Sequence, residues 1–226
     1  GENVNQDIYD IERYGLEAAD RVIAVSHYTK NVMIERYGIS PEKITVVHNA
    51  VARREAGGVY HVEKDPRRKT VLFLGRITFQ KGPDYFVEAA ARVLREMPDA
   101  TFVMAGAGDM MTQMVERVAA LGIGIRFHFT GFLRGEDVER AFALSDLYVM
   151  PSVSEPFGIS PLEAMLYDVP VIISRQSGVS EVLRHALKVD FWNVEELAGK
   201  IMAVLKYPPL AAELVEKSRE ALRHIR

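Results

Sequence analysis

The chain has 226 residues, 48% of them apolar, with 28 basic against 31 acidic side chains and a formal net charge of −3. That length holds one full domain and part of another, and the charge balance offers no general field for nucleic acid. Cysteine is absent, which excludes disulfides, thiolate metal sites and thiol nucleophiles and is compatible with a reducing, cytoplasmic location.

No apolar run approaches the roughly 18 residues of a membrane helix, so no transmembrane segment is expected. Residues 1–58 hold a strand-like run over 21–25, a helix over about 27–37 with Ser26 as its N-cap, and a second run over 43–47. These pieces are too few for an independent core. They are read as the end of a preceding domain together with the crossing from it. Arg53 to Arg68 is polar, contains Gly57-Gly58 and Pro66, and reads as a linker.

Residues 59–226 form the second unit. Thr70 to Leu74 is a buried-strand run, and Phe86, Ala89, Ala90, Val93, Leu94 and Met97 then recur at helical spacing up to Pro98. Further strands are predicted at 101–105, about 125–130, 147–150, 169–173 and 188–191. Helices are predicted over about 110–121, 135–144, from Pro161, 194–206 and 208–223. Strands apolar on both faces and separated by helices predict an α/β fold with a doubly wound, Rossmann-like parallel sheet. In such sheets ligands sit beyond the carboxyl ends of the strands.

Two segments at such ends carry chemistry. The first is Gly75-Arg76-Ile77-Thr78-Phe79-Gln80-Lys81-Gly82. Its glycines let the backbone turn tightly, and two cations stand between them, suited to an anion. Either cation alone could be a solvated loop charge. The second is Ser154-Glu155-Pro156-Phe157-Gly158-Ile159-Ser160-Pro161-Leu162-Glu163-Ala164. Ser160, Pro161 and Glu163 fit a capping box, which alone would account for Glu163. It does not account for Glu155, which sits in a turn. Amides of Gly158, Ile159 and Ser160 at the helix start would suit an anion.

The pairing of Gly-Arg-x4-Lys-Gly with Glu-Pro-Phe-Gly-x4-Glu-Ala resembles the donor-domain signature of retaining, GT-B-type glycosyltransferases, the group related to glycogen synthase and the mannosyltransferases. The resemblance spans roughly residues 15–226 and includes Ala19 to Ser26 and Val46-Val47-His48-Asn49. It implies the C-terminal, donor-binding domain of a GT-B fold whose acceptor domain is nearly all missing. It also implies sugar transfer from a UDP-, ADP- or GDP-linked donor with retention of configuration, and no cofactor. Arg76 and Lys81 would bind the diphosphate. Glu155 would touch the sugar hydroxyls, aided by the amides of Phe157, Gly158 and Ile159, and Glu163 would hold the ribose. Gly131, Phe132 and Leu133 would lie beside the base, with Gly75, Gly106 and Gly108 along the cleft.

Many glycosyltransferases hold a metal with an Asp-x-Asp pair. None occurs in this chain, so cations of the protein would meet the departing diphosphate and no metal site is expected. The chain departs from the pattern at Asn49-Ala50, where Asn-Gly is usual, and after Glu181, where Arg184-His185-Ala186-Leu187-Lys188 replaces a glycine-containing loop. Two alternatives stay open: a non-catalytic nucleotide-sugar-binding module, and a GT-B-type sugar-nucleotide epimerase.

Overall fold

The computed structural model describes residues 5–51, 64 and 68–225. Most of the expected linker, and the boundary placed between residues 58 and 59, therefore lie outside the described residues.

The chain opens with a helix that the sequence reading did not anticipate, α1 (Gln6–Ala18), capped by Asn5, whose side chain accepts from the amide of Asp7. Ile8, Ile11 and Tyr14 recur three residues apart along it, and none of its residues is buried. The strand β1 (Val22–Ala24), the helix α2 (His27–Tyr37) and the strand β2 (Ile44–Val46) follow. β1 and β2 pair in parallel, and Val22, Ala24, Ile39 and Ile44 form a small core of their own. Ser26 caps α2 as expected, accepting from the amide of Thr29, and Gly38 ends that helix in the left-handed conformation.

The larger unit follows in the predicted alternation: β3 (Thr70–Leu74), α3 (Pro83–Glu96), β4 (Thr101–Ala105), α4 (Met111–Ala120), β5 (Phe127–Gly131), α5 (Glu136–Leu144), β6 (Leu147–Met150), α6 (Ser160–Leu166), β7 (Val171–Ser174), β8 (Leu187–Val189), α7 (Val194–Lys206) and α8 (Pro208–Leu222). The six strands β3 to β8 make one parallel sheet in the order β5-β4-β3-β6-β7-β8. Because side chains alternate along a strand, Val71 and Phe73 join one core with α3, α4 and α7. Leu72 faces the other way, with Tyr148, Ile173, Phe142 of α5 and Leu162 of α6. Both faces are covered, which is why the inner strands β3, β6 and β7 read as continuous apolar runs.

The order has one functional consequence. The chain winds outward from β3 to β5, returns to place β6 against β3, and winds the other way to β8. The switch point therefore lies between β3 and β6, and the loops leaving those two strands open a crevice at their carboxyl ends. These loops carry the two segments singled out in the sequence.

Candidate functional site

The loop after β3 turns into α3 through Gly82, at φ 64°, followed by Pro83 in the first helical turn. A side chain at 82 would meet the Pro151 carbonyl oxygen at 2.2 Å, so glycine is what lets the β3 and β6 loops touch. The amide of Val153 donates to the carbonyl of Gln80 at 2.9 Å across the same junction. The outcome is an ion pair between Lys81 and Glu155, side chains 74 positions apart, whose exposures are only 20% and 9%. Each group compensates the other's loss of hydration.

The Glu155 backbone is held as tightly. Its amide donates to Gln176 O (3.1 Å) and its carbonyl accepts from Gly178 N (2.9 Å), which adds the turn after β7 to the site. Gly158, at φ 96°, lies against Met150 and the Glu155 side chain.

Lys81 and Glu155 line a cleft of about 250 Å³ together with Gly75, Phe157, Gly158, Ile159 and Ser160. With Pro156, the structure thus brings eight residues of the two sequence segments to one cavity. Val25, Asn49, Tyr148, Met150 and Ser152 also line it and were not anticipated as site residues. Tyr148 and Met150 look like ordinary strand residues, and Val25 and Asn49 belong to the N-terminal unit, so local pattern carried no signal for them. Ser152 is fully buried, and its hydroxyl has no hydrogen-bond partner among the described residues. Tyr148 donates to Leu74 O at 3.2 Å. Burial above all, and then the carboxylates of Glu155 and Glu163, push its phenol far above the usual range, so it stays a neutral donor.

The remaining expected site residues are not among those that line the cleft. Arg76 is exposed and donates to Gln80 Oε1 at 3.0 Å. Glu163 is half-buried in the first turn of α6. The expected capping box does not form. Ile159, not Ser160, is the N-cap, its carbonyl accepting from Glu163 N at 3.1 Å, and Ser160 is already helical. Ser160 faces the cleft instead.

Gly106 and Gly108 lie behind the β3 loop rather than along the cavity: a side chain there would fall 1.8 Å from Gly75 O or 2.2 Å from Ile77 O. Those glycines allow Ile77 N to donate to Ala107 O and Met110 N to donate to Ile77 O, fastening the two loops together. Gly131 ends β5 at φ 73° and accepts from Gly106 N. Phe132 beyond it is 65% exposed, with the Arg134 guanidinium over its ring, and Leu133 packs against the core.

The N-terminal unit docks beside the cleft. Ser26 and Thr29 hydroxyls donate to Pro156 O at 2.6 and 3.0 Å. The Glu181 carboxylate accepts from the amides of His27 (2.8 Å) and Tyr28 (2.6 Å) at the start of α2, with the His48 ring 3.1 Å away. Burial pushes Glu181 up, but those amides and His48 outweigh it and hold the carboxyl below its ordinary range. Among the described residues no group of three or more Asp, Glu or His could hold a metal ion, and no helix is long and apolar enough to cross a membrane.

Comparison with known proteins places these features in a family. Residues 61–221 match the family described as Glycosyl transferases group 1, and residues 4–55 match Glycosyltransferase Family 4. Among curated relatives, an uncharacterized glycosyltransferase of Methanocaldococcus jannaschii is 31% identical over 79% of this chain and 48% of its own length. The 2-deoxystreptamine glucosyltransferase of Streptomyces kanamyceticus is 32% identical over 90% of this chain and 56% of its own length. The chain thus spans about half the length of the curated relatives it matches.

The fold is shared with Anabaena HepE, crystallised with UDP-glucose, at a TM-score of 0.85 and 21% identity, covering 99% of this chain and 65% of HepE. Sucrose-phosphate synthase of Thermosynechococcus elongatus superposes at a TM-score of 0.82 and 23% identity, covering 100% of this chain and 59% of that one. The sheet order, the helices on both faces and these overlaps make this unit the C-terminal half of a GT-B fold. With the family's profile matched over residues 61–221, the chain belongs to the glycosyl transferases of group 1.

Proposed function

We propose that this chain is the donor-binding half of an enzyme that moves a sugar from a nucleoside diphosphate sugar to an acceptor with retention of configuration. The observation that carries the reading is the meeting of Lys81 and Glu155 at the switch point between β3 and β6. A nucleotide sugar offers both groups a better partner. Lys81, with Arg76, takes the diphosphate, and Glu155 accepts from sugar hydroxyls beside the amides of Phe157, Gly158 and Ile159. Glu163 holds the ribose, and the Gly131-Phe132-Leu133 turn borders the base. Gly75, Gly106 and Gly108 shape the loops around it. In the transfer the bond from the anomeric carbon to the diphosphate breaks and a bond to the acceptor oxygen forms on the same face. The acceptor's proton goes to the departing diphosphate, whose growing charge Arg76 and Lys81 stabilise.

Three features support a preceding domain ending near residue 58. The two family matches meet between residues 55 and 61. Ile8, Ile11, Tyr14, Ile23 and Val47 are each more than half exposed on the N-terminal unit, an apolar surface that calls for a cover. A cavity of about 250 Å³ is also small for a whole nucleotide sugar, against the roughly 300–1,000 Å³ of ordinary ligand pockets.

UDP is the first candidate nucleotide, because the HepE structures hold UDP or UDP-glucose. Calorimetric titration of the chain with UDP, ADP and GDP, with and without magnesium, tests the reading. Selective, metal-indifferent binding of one nucleotide is the expected result. No binding by this chain, or by a longer one carrying the preceding domain, refutes it. Retention is tested separately by NMR assignment of the product anomer.

A further inference from the structure

We infer that Ser26 is a positioning residue for Glu155, so that the segment joining this domain to the one before it is a working part of the donor site. The inference rests on the donor-site reading above. Ser26 is fully buried, 129 positions from Glu155 in sequence (155 against 26), and its hydroxyl donates to the carbonyl of Pro156, the next residue. Thr29 supplies that oxygen with a second donor, so both of its lone pairs are engaged by the first turn of α2.

On the opposite side the same short segment is clamped by Gln176 O and Gly178 N. Gly178 marks where the two clamps meet. Its φ is not in the left-handed region, yet a side chain there would stand 2.2 Å from Pro156 O, 2.5 Å from Ser26 Cβ and 2.6 Å from Ser26 Oγ. Glycine is required at 178 by space alone, and the space it leaves is filled by the joining segment. Glu181, three residues on, receives the His27 and Tyr28 amides and keeps α2 seated.

Glu155 is thereby held by three pieces of chain: its own loop, the turn after β7, and α2. A movement of the preceding domain that pulled on α2 would reach the sugar-contacting carboxylate through one carbonyl. Among the described residues, the β3 loop on the diphosphate side of the cleft makes no hydrogen bond to α2.

The test uses Ser26→Ala, which removes the donor, and Gly178→Ala, which wedges the two surfaces apart. Two quantities are measured: hydrogen exchange of the Gly178 amide, and the ratio of the dissociation constants for UDP-glucose and UDP. Loss of one buried hydrogen bond predicts exchange about fivefold faster in Ser26→Ala, with β6 and β7 amides unchanged. It also predicts UDP affinity within about twofold of the unsubstituted chain while UDP-glucose weakens about fivefold. Unchanged exchange in folded variants of both kinds overturns the inference, as does equal weakening of the two ligands, which a merely structural role would produce. If neither the unsubstituted chain nor a longer one carrying the preceding domain binds either ligand, the donor-site reading is what fails, and exchange, needing no ligand, separates the two outcomes.

Discussion

The Lys81–Glu155 pair can be taken apart and reassembled. Its members are 20% and 9% exposed, dry enough that neutralising one leaves the other a partly buried, unpaired charge. Removing one partner of a buried pair costs roughly 3–5 kcal/mol. The open cleft on one side argues for the lower end, about 3 kcal/mol, or a fall in Tm of about 6–12 °C for a chain of this size. Lys81→Met and Glu155→Gln are each expected to show that loss. The double variant, with no charge left to strand, is expected to lose no more than either single does, giving a coupling of about 3 kcal/mol in a double-mutant cycle by urea denaturation.

Ligand binding should split the two singles. Lys81→Met weakens UDP at least about tenfold, whereas Glu155→Gln frees Lys81 from its competitor and binds UDP as well as before or better. In calorimetry, equal weakening of UDP by both single substitutions would refute the division of roles. Additive stability losses would refute the pair itself.

Acid should loosen the seat of α2. Glu181 is held below its ordinary range, so its contribution is complete above the unfolded carboxylate range and is lost as pH falls through the folded value. Thermal melts between pH 7 and 3 are expected to show an acid loss, with His27 and His48 beside the carboxylate, that is smaller in Glu181→Gln. Gly106→Ala, with a clash at 1.8 Å, should cost about 3 kcal/mol or more, as strain at a special backbone position does. Gly131→Ala has open space but φ 73°, so about 1–2 kcal/mol is expected from the left-handed backbone alone; the two are compared by denaturant titration. Phe132→Ala, at a 65% exposed position, should leave Tm unchanged while weakening UDP by about 1–3 kcal/mol if the ring lies on the base. Unaltered affinity would remove Phe132 from the base site.

The sheet was legible in the sequence because its inner strands β3, β6 and β7 are apolar on both faces, the edge strand β5 alternates, and helices of clear 3.6-residue period separate the strands. Glycine and proline punctuation set most boundaries to within two residues, as at Pro98 and Pro208. The candidate site residues stood out for a related reason. Gly-flanked Arg76 and Lys81, and Glu155 in a turn, have no periodic work to do and so stand out.

Tertiary structure alone decided what local pattern does not encode. Ser160 was read as a cap because its neighbours permit one, but the turn at Gly158, packed on Met150, starts the helix a residue earlier and turns Ser160 to the cleft. Gly106 and Gly108 were read as cleft lining, and they serve the contact between two loops. The pairing of Lys81 with Glu155, and the reach of Ser26 to Pro156, join residues far apart in the chain. Propensity and periodicity act over a few residues. Which loops meet is set by the order of the strands, and that order follows from how both faces of the sheet are buried at once.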